Sequence, residues 1–349
     1  MYCRKAKLKL PMKSILEEYK CGKARLLTML EESDDPVVKT VQPSLKTGRK
    51  WKVTETVDKA KECIKMKEVI GQTQTDRRGL GSTTAKWWSK TEGKEKRDMI
   101  IDEIRNKKDS TRVLKAVQQP QQGQWTNWDT ATQRSLTWND IWHMAPLRIS
   151  FLIRSVYDLL PSNANLVRWG KKDDPICPLC QAQQYSPQKW SQKWHGESIP
   201  INTHRKGLLD GCDDLVVSAD FPEWEKHPDV IRKTALKPDI VIHSASTQQI
   251  IMVELTVPYE SRMEESLAFK EGKYLDLIKE LKKDGYEAKV MPVEIGARGF
   301  VSSSAYGLLS KLSIGSIKRT KALRLLAETA ENSFRWIWSR RNERLLHKE

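Results

Sequence analysis

Residues 237–260 read KPDIVIHSASTQQIIMVELTVPYE, and this stretch predicts a β-hairpin. Two apolar runs rich in β-branched residues flank a small polar stretch at Ser244 to Gln248, which is the pattern of two antiparallel strands and their turn. A turn centred in the middle of that stretch places Asp239 directly opposite Glu254. The hairpin therefore brings together two carboxylates from the opposite ends of this stretch.

The two carboxylates need a compensating positive charge. Opposed side chains of an antiparallel pair have Cβ atoms about 4.5–5.5 Å apart, and like charges at that spacing destabilise a sheet. We therefore predict that Asp239 and Glu254 hold Mg²⁺ or Mn²⁺, a hard cation that keeps several water molecules and presents one of them to a phosphodiester. The structural alternative is that Pro-Asp before a strand is common turn chemistry and that Glu254 is an edge residue.

A lysine on the following helix supports the metal interpretation. The apolar stripe of the helix predicted over 260–283 recurs at steps of three and four residues and consists of Met263, Leu267, Tyr274, Leu277, Ile278 and Leu281. Lys270 falls inside this stripe, whereas Lys273 projects about 90° from its centre. Because lysine is rarely buried without a partner, Lys270 is expected to point its ammonium group at the acidic hairpin.

Four short segments in the last third of the chain form a recognisable set: Lys237 to Asp239, Val253 to Glu260, Lys270 to Tyr274 and Pro292 to Phe300. Together they resemble the restriction-like endonuclease of non-LTR retrotransposons, a branch of the PD-(D/E)xK nuclease superfamily. The resemblance implies an α/β (α+β) fold with a restriction-endonuclease-like core, in which helices flank a central mixed sheet. It also implies a DNA endonuclease that nicks target DNA, so that the parent element can prime its own copying.

The resemblance assigns catalytic roles to Asp239, Glu254 and Lys270, with Tyr274 in support. Thr256 stands where the wider superfamily has a lysine, two residues after the second acid. In the retrotransposon branch the lysine comes instead from a KxxKY pattern on the next helix, so catalysis is expected to depend on Lys270. The alternative function is that of an inactive, truncated or domesticated remnant, which binds nucleic acid or a protein without cutting.

The composition is highly charged, and the positive charge is concentrated at the two ends of the chain. The 349 residues carry a formal net charge of +16, and the mean hydropathy is -0.62. Residues 1–120 hold 29 Lys and Arg against 17 Asp and Glu, and residues 311–349 hold 10 against 4. Such basic ends favour a polyanion as partner, although solvated Lys-rich helices are the alternative. The resemblance implies that this polyanion is DNA, with RNA of the element as a second partner. With no apolar run of about 18 residues and no secretory signal, we predict an intracellular, nuclear protein that uses neither a membrane nor a small-molecule cofactor.

Periodicity and composition divide the chain into five parts. We expect a basic helical region at 1–117, with helices at 11–30, 51–70 and 94–117; a Gln-rich linker at 118–127; a region at 128–213 with a helix over 136–160; the nuclease core at 214–313; and a basic terminal helix at 314–349. The first region resembles the segment that follows the polymerase palm in the same elements. No YxDD-type pair of aspartates occurs in the sequence, so reverse transcriptase activity is not expected.

The pair Cys177 and Cys180 resembles half of the zinc-binding module that follows reverse transcriptase in these elements. A tetrahedral zinc site needs two further thiolate or imidazole ligands, and the nearest candidates are His195, His204 and Cys212. Their spacing is wide and irregular. Two free thiols on a loop are therefore the alternative to Zn²⁺.

Several basic residues near the predicted site and on the terminal helix are candidates for phosphate contacts. They are Lys273, Arg298, Arg335, Arg340 and Arg341. On the terminal helix these arginines alternate with Trp336 and Trp338, a pattern typical of stacking and phosphate contact with nucleic acid. The alternative is that Trp336 and Ile337 pack on the core and leave a solvated basic face.

Overall fold

The chain folds into two units, Met1–Gln118 and Gln119–Glu349. The computed structural model describes residues 2–41, 47–48, 50–75, 88–176, 214–220, 227–232 and 234–340. Among these residues, no helix combines the length and the apolar character that a membrane crossing requires.

Unit 1 is mainly helical. Its elements are β1 (Leu8–Lys9), α1 (Ile15–Glu31), α2 (Pro36–Val41), α3 (Val53–Thr75) and α4 (Gly93–Val117), with a 3-10 turn at Trp88–Lys90. The core lies where α1, α3 and α4 pack together and contains Cys21, Ala24, Leu27, Val53, Val57, Ala60, Ile64, Ile100 and Ile101. Because these residues recur at steps of three and four, each helix buries one face, and the three helices predicted in this region are confirmed.

Unit 2 begins with short elements. These are a 3-10 turn (Gln124–Asn127), β2 (Arg134–Ser135), α5 (Trp138–His143), α6 (Pro146–Val156) and α7 (Asn163–Arg168). Thr137 and Asp140 form a reciprocal capping box at the start of α5, and Pro146 is the first residue of α6. Proline fits the first turn of a helix but cannot continue one, so the single helix predicted over 136–160 is divided into α5 and α6.

A four-stranded sheet forms the centre of unit 2. Its strands are β3 (Val216–Ala219), β4 (Ile240–Ser244), β5 (Gln249–Thr256) and β6 (Glu287–Glu294), arranged in the order β3-β4-β5-β6. The pairs β3/β4 and β4/β5 are antiparallel, and β5/β6 is parallel. A parallel pair needs a crossover, which here carries a 3-10 turn (Glu260–Arg262), α9 (Met263–Lys273) and α10 (Leu275–Lys283). The remaining helices are α8 (Asp229–Arg232), α11 (Ser303–Lys311) and α12 (Ser316–Ser339).

Helices cover both faces of the sheet. Ile250 and Met252 of β5 pack with Tyr274, Leu277 and Leu281 on the α9–α10 side. The alternate residues Ile251 and Val253 pack with Ala305, Leu308 and Ala330 on the α11–α12 side. This alternation follows from the two-residue period of a strand. The molecule is therefore a mixed helix-and-sheet protein of the general α/β class that the sequence predicts.

The Gln-rich segment 118–127 differs from the predicted linker. The division between the units falls at its N-terminal end, and the rest of the segment is packed within unit 2. Trp125 is buried, and the Gln121 side chain donates hydrogen bonds to the Asp158 carbonyl at 2.9 Å and to Asn165 Oδ1 at 2.8 Å. Composition alone does not reveal these contacts, because each of them is made with residues more than 35 positions away.

Candidate functional site

The hairpin register brings Asp239 and Glu254 to the same place in the sheet. Ile240 pairs with Val253, and the ladder continues to Ser244 and Gln249. Asp239, the residue just before β4, thus stands opposite Glu254, as the predicted turn requires. Asp239 is exposed, whereas Glu254 is only 3% exposed. The register prediction is therefore confirmed.

Glu254 is the centre of a small charged cluster. Lys270 donates a short hydrogen bond to Glu254 Oε1, and Lys273 Nζ lies 3.2 Å from the same oxygen. The Tyr274 hydroxyl donates to Glu254 Oε2 at 2.8 Å. Both carboxylate oxygens therefore have partners on α9 or directly after it, and two ammonium groups share one carboxylate.

Lys273 was expected to project away from this cluster but lies within it. The single helix predicted over 260–283 is divided into α9 and α10, and Tyr274 lies between them. A helical wheel drawn for one regular helix therefore does not apply beyond Lys273. Lys273 is the last residue of α9, and its Nζ also lies 3.1 Å from the Tyr274 hydroxyl. At a helix end the side chain is no longer constrained by the next turn, so it reaches the carboxylate that Lys270 also contacts.

Tyr274 joins three parts of the site. It is fully buried, and besides Glu254 its hydroxyl lies 3.3 Å from the carbonyl oxygen of Lys237, which precedes the Pro-Asp turn. Burial, the hydrogen bond to Glu254 and the nearby charges of Glu254 and Asp239 raise the pKa of Tyr274. The phenol therefore stays protonated and remains a donor to Glu254 at neutral pH.

The neighbours of Glu254 keep it ionised. Burial alone raises the pKa of this carboxyl, but hydrogen bonds from Lys270, Tyr274 and Lys273 outweigh burial and lower the pKa below its ordinary value. The site thus keeps a buried, negatively charged carboxylate.

Asp239 supplies the open side of the site. Its Oδ2 accepts a hydrogen bond from the Leu255 backbone N–H at 2.6 Å, which fixes the carboxylate beside β5. In the described part of the chain, no group of three or more His, Cys, Asp or Glu side chains is arranged to hold a metal ion. A pair of carboxylates still fits Mg²⁺, because that ion is usually bound through one or two carboxylates and completes its shell with water.

Thr256, which stands where the wider superfamily has a lysine, contributes no positive charge to the site. Its hydroxyl lies 3.1 Å from the Ser266 hydroxyl on α9. The ammonium group nearest to Glu254 belongs to Lys270, as predicted from the apolar stripe.

Glu294 is a buried acid that the sequence does not single out. It pairs with Thr256 across β5 and β6 and is 1% exposed. Ser304 donates a short hydrogen bond to Oε2, whereas Oε1 is buried without a hydrogen-bond partner among the described residues. Burial raises the pKa of Glu294, with the charge of Glu271 adding to the effect. A parallel pairing more than 30 residues apart creates this environment, and no local pattern signals it.

Glu294→Gln is expected to stabilise unit 2 at alkaline pH but not at acidic pH. A raised pKa favours the protonated acid in the folded state, so its contribution is present below the unfolded value of about 4.3 and is lost as pH rises through the folded pKa. Glutamine has nearly the same shape as the protonated acid and stays uncharged at every pH. The free energy of unfolding is measured in urea at pH 4.5 and at pH 8. The stability of Glu294→Gln relative to wild type should increase by on the order of 1 kcal/mol from the lower to the higher pH.

The control for this prediction is Glu287→Gln, at the other end of the same strand. Glu287 is exposed, and its hydrogen bond from Lys289 lowers its pKa. Its substitution is not expected to stabilise the protein at alkaline pH. A difference for Glu294→Gln that is the same at both pH values would contradict the prediction.

Arg298 lies inside unit 2 and does not present the free phosphate contact that the sequence suggested. Its guanidinium donates to Glu260 Oε2 at 2.7 Å and stands over the rings of Trp128 and Tyr259, 5.1 and 5.3 Å from their centroids. A Cβ at Gly296 would meet Glu260 Oε1 at 2.3 Å, so only glycine leaves room for the acid. Arg298 is therefore a structural residue, held by a buried ion pair and two aromatic rings.

The terminal arginines are placed less uniformly. Arg340 is exposed, with its guanidinium 4.8 Å from the centre of the Trp336 ring. Arg335 is half-buried, and its Nε has no hydrogen-bond partner in the described part of the chain. Trp336 and Ile337 are 48% and 44% exposed, so neither is a core residue. Arg341 lies outside the described residues.

The predicted zinc ligands Cys177, Cys180, His195, His204 and Cys212 also lie outside the described residues. No protein-family model, curated protein or solved structure matched the chain.

Proposed function

We propose that unit 2 is a metal-dependent DNA endonuclease of the restriction-like type carried by non-LTR retrotransposons. The observation that supports it most is the convergence on Glu254 of a facing acid, Asp239, and an inward-directed lysine, Lys270. These groups come from the residue just before β4, from β5 and from α9, and a buried charge with such specific partners, as at Glu254, is typical of functional sites.

The charges of the site suit phosphodiester hydrolysis. Asp239 and Glu254 would hold the ion, and a bound Mg²⁺ supplies a Lewis acid and a water of lowered pKa. Without the ion, the two carboxylates are balanced by Lys270 and Lys273. A DNA phosphate adds negative charge beside the ammonium groups, so Lys270 can leave Glu254 to stabilise the phosphate as its charge increases.

Tyr274 and Lys273 have positioning and binding roles in this proposal. Tyr274 holds Glu254 Oε2 at a fixed point and ties it to the carbonyl of Lys237. Lys273 is more exposed than Lys270, with 30% against 18% of the side chain accessible. We therefore assign Lys273 to contact with the DNA backbone and Lys270 to the reacting phosphate.

A plasmid-nicking assay with matched lysine variants tests the proposal. Purified protein is expected to nick supercoiled DNA with Mg²⁺ or Mn²⁺ and to stop when EDTA removes the ion. Lys270→Met should lower kcat by about 10²-fold, because it removes one charge that stabilises the transition state. Lys273 contacts the same oxygen, so Lys273→Met serves as the matched control, and its effect is expected mainly on KM.

Two results would count against the nuclease. The first is no nicking with any divalent ion, and the second is equal loss of activity in the two variants. Binding of DNA without any metal-dependent cleavage would favour the alternative of an inactive remnant.

A further inference from the structure

A cleft of about 790 Å³ lies within unit 1, lined by side chains of α1, α3 and α4. The α3 wall presents Lys59, Cys63 and Lys67 at successive turns, and the α4 wall presents Glu103 and Lys107 one turn apart. Its volume falls in the range of ligand-binding clefts. The nuclease proposal for unit 2 does not use this surface.

The cleft is basic because its acids are already paired. Lys67 donates to Glu103, and Arg112 donates to Glu17. The hydrogen bonds from Lys67 and Cys63 outweigh the effect of burial and lower the pKa of Glu103, so this acid stays ionised and its charge is cancelled by Lys67.

Five further lysines line the cleft with no carboxylate at ion-pair distance in the described part of the chain. They are Lys5, Lys20, Lys59, Lys107 and Lys108. Clustered cations repel one another and attract a polyanion, whose condensed counterions are released on binding. The charge of the cleft therefore indicates a ligand with several negative groups.

An aromatic ring stands among these lysines. Trp51 is half-buried and lines the cleft, with Lys20 Nζ 5.1 Å from the centre of its ring. Such a cation–π contact is weak at a solvent-accessible site. A nucleobase can replace the ammonium group on the ring, and Lys20 then becomes available to a phosphate.

We infer that this cleft binds single-stranded nucleic acid, with phosphates on Lys59 and Lys107 and a base stacked on Trp51. Stacking rings in a basic groove are the usual means of holding a single strand without sequence preference. A duplex conceals the faces of its bases, and an acidic peptide gains little from the ring. The two walls and the ring therefore favour an unpaired strand.

Fluorescence anisotropy with a labelled 12-nucleotide strand tests the inference. The full chain is used in EDTA, so that no metal-dependent hydrolysis occurs and activity of unit 2 does not affect the result. Lys59→Gln/Lys107→Gln should weaken binding at least about tenfold. It should also reduce the slope of log K against log salt by about 1.4, since each single-strand phosphate contact contributes about 0.7.

The matched control is Lys65→Gln/Lys115→Gln. These two lysines are exposed on α3 and α4 but do not line the cleft. The control loses the same two charges as the cleft variant but should bind like wild type. Trp51→Leu should weaken binding about tenfold, and Trp51→Phe should retain most of the affinity because it keeps a stacking ring. Comparison of Trp51→Leu with Trp51→Phe separates the loss of base stacking from a loss of folding.

Four results would overturn the inference. The first is the absence of binding, and the second is equal weakening by the two double-lysine variants. Another is tighter binding of duplex DNA with the same dependence on Lys59 and Lys107. The last is competition by polyglutamate as effective as that of the oligonucleotide, without any effect of Trp51→Leu, which would identify an acidic polypeptide as the partner.

Discussion

Asp239→Asn is expected to reduce DNA nicking by about 10³-fold or more without changing the stability of the protein. Asp239 is exposed, and an amide oxygen can still accept the hydrogen bond from Leu255 N–H. The substitution removes only the negative charge that would hold the divalent ion. Metal-ion catalysis contributes several kcal/mol to barrier lowering, and each 1.36 kcal/mol is a factor of ten in rate.

The measurement combines initial nicking rates with a calorimetric titration of Mg²⁺ and a thermal unfolding curve. Asp276→Asn is the control, because Asp276 is a highly exposed acid on α10 that pairs with the exposed Lys279. It should match wild type in all three measurements. Unchanged nicking by Asp239→Asn would remove the ion from its proposed place and, with it, the proposed mechanism.

Glu331→Ala is expected to lower the free energy of unfolding of unit 2 by about 3–5 kcal/mol. Glu331 is completely buried on α12, where Arg134 and Arg148 both donate to it. Its removal leaves two largely buried guanidinium groups without their carboxylate. Since Arg134 lies on β2 and Arg148 on α6, the substitution also removes the hydrogen bonds that link these two elements to α12.

Urea unfolding followed by tryptophan fluorescence measures this effect, with Glu328→Ala as the control. Glu328 lies on the same helix and pairs with an exposed arginine, Arg324, so its loss should change stability by about 0.5 kcal/mol or less. Burial raises the pKa of Glu331, but the two arginines outweigh burial and lower it. Its contribution is therefore present above the unfolded pKa of about 4.3 and is lost as pH falls through the folded value. Similar effects of both variants would contradict the prediction.

Local patterns were sufficient to predict the centre of the site. The short polar stretch after His243 determines where the hairpin turns, and the turn determines that Asp239 faces Glu254. The placement of Lys270 followed from its position in an apolar stripe, because a helix face is set by neighbouring residues. Both features depend on separations of fewer than 20 residues.

Contacts between distant segments could not be predicted in the same way. Glu294 acquires its neighbours from the parallel pairing with β5, and Arg298 acquires Glu260 because Gly296 leaves space for the acid. The prediction that Lys273 points away from the apolar stripe is wrong for a different reason. The helical wheel assumes a regular helix, and α9 ends at Lys273. Charge and spacing identified the cations, but only the fold shows which are already paired.

Lys270 and Lys273 give the Glu254 carboxylate a counter-ion made by the polypeptide itself. Domains that need a metal to neutralise their ligands unfold when it is withdrawn. In this protein the ammonium groups balance the charge beforehand. If the site holds a divalent ion as proposed, chelators should therefore leave the fold intact, and adding the ion back should restore nicking.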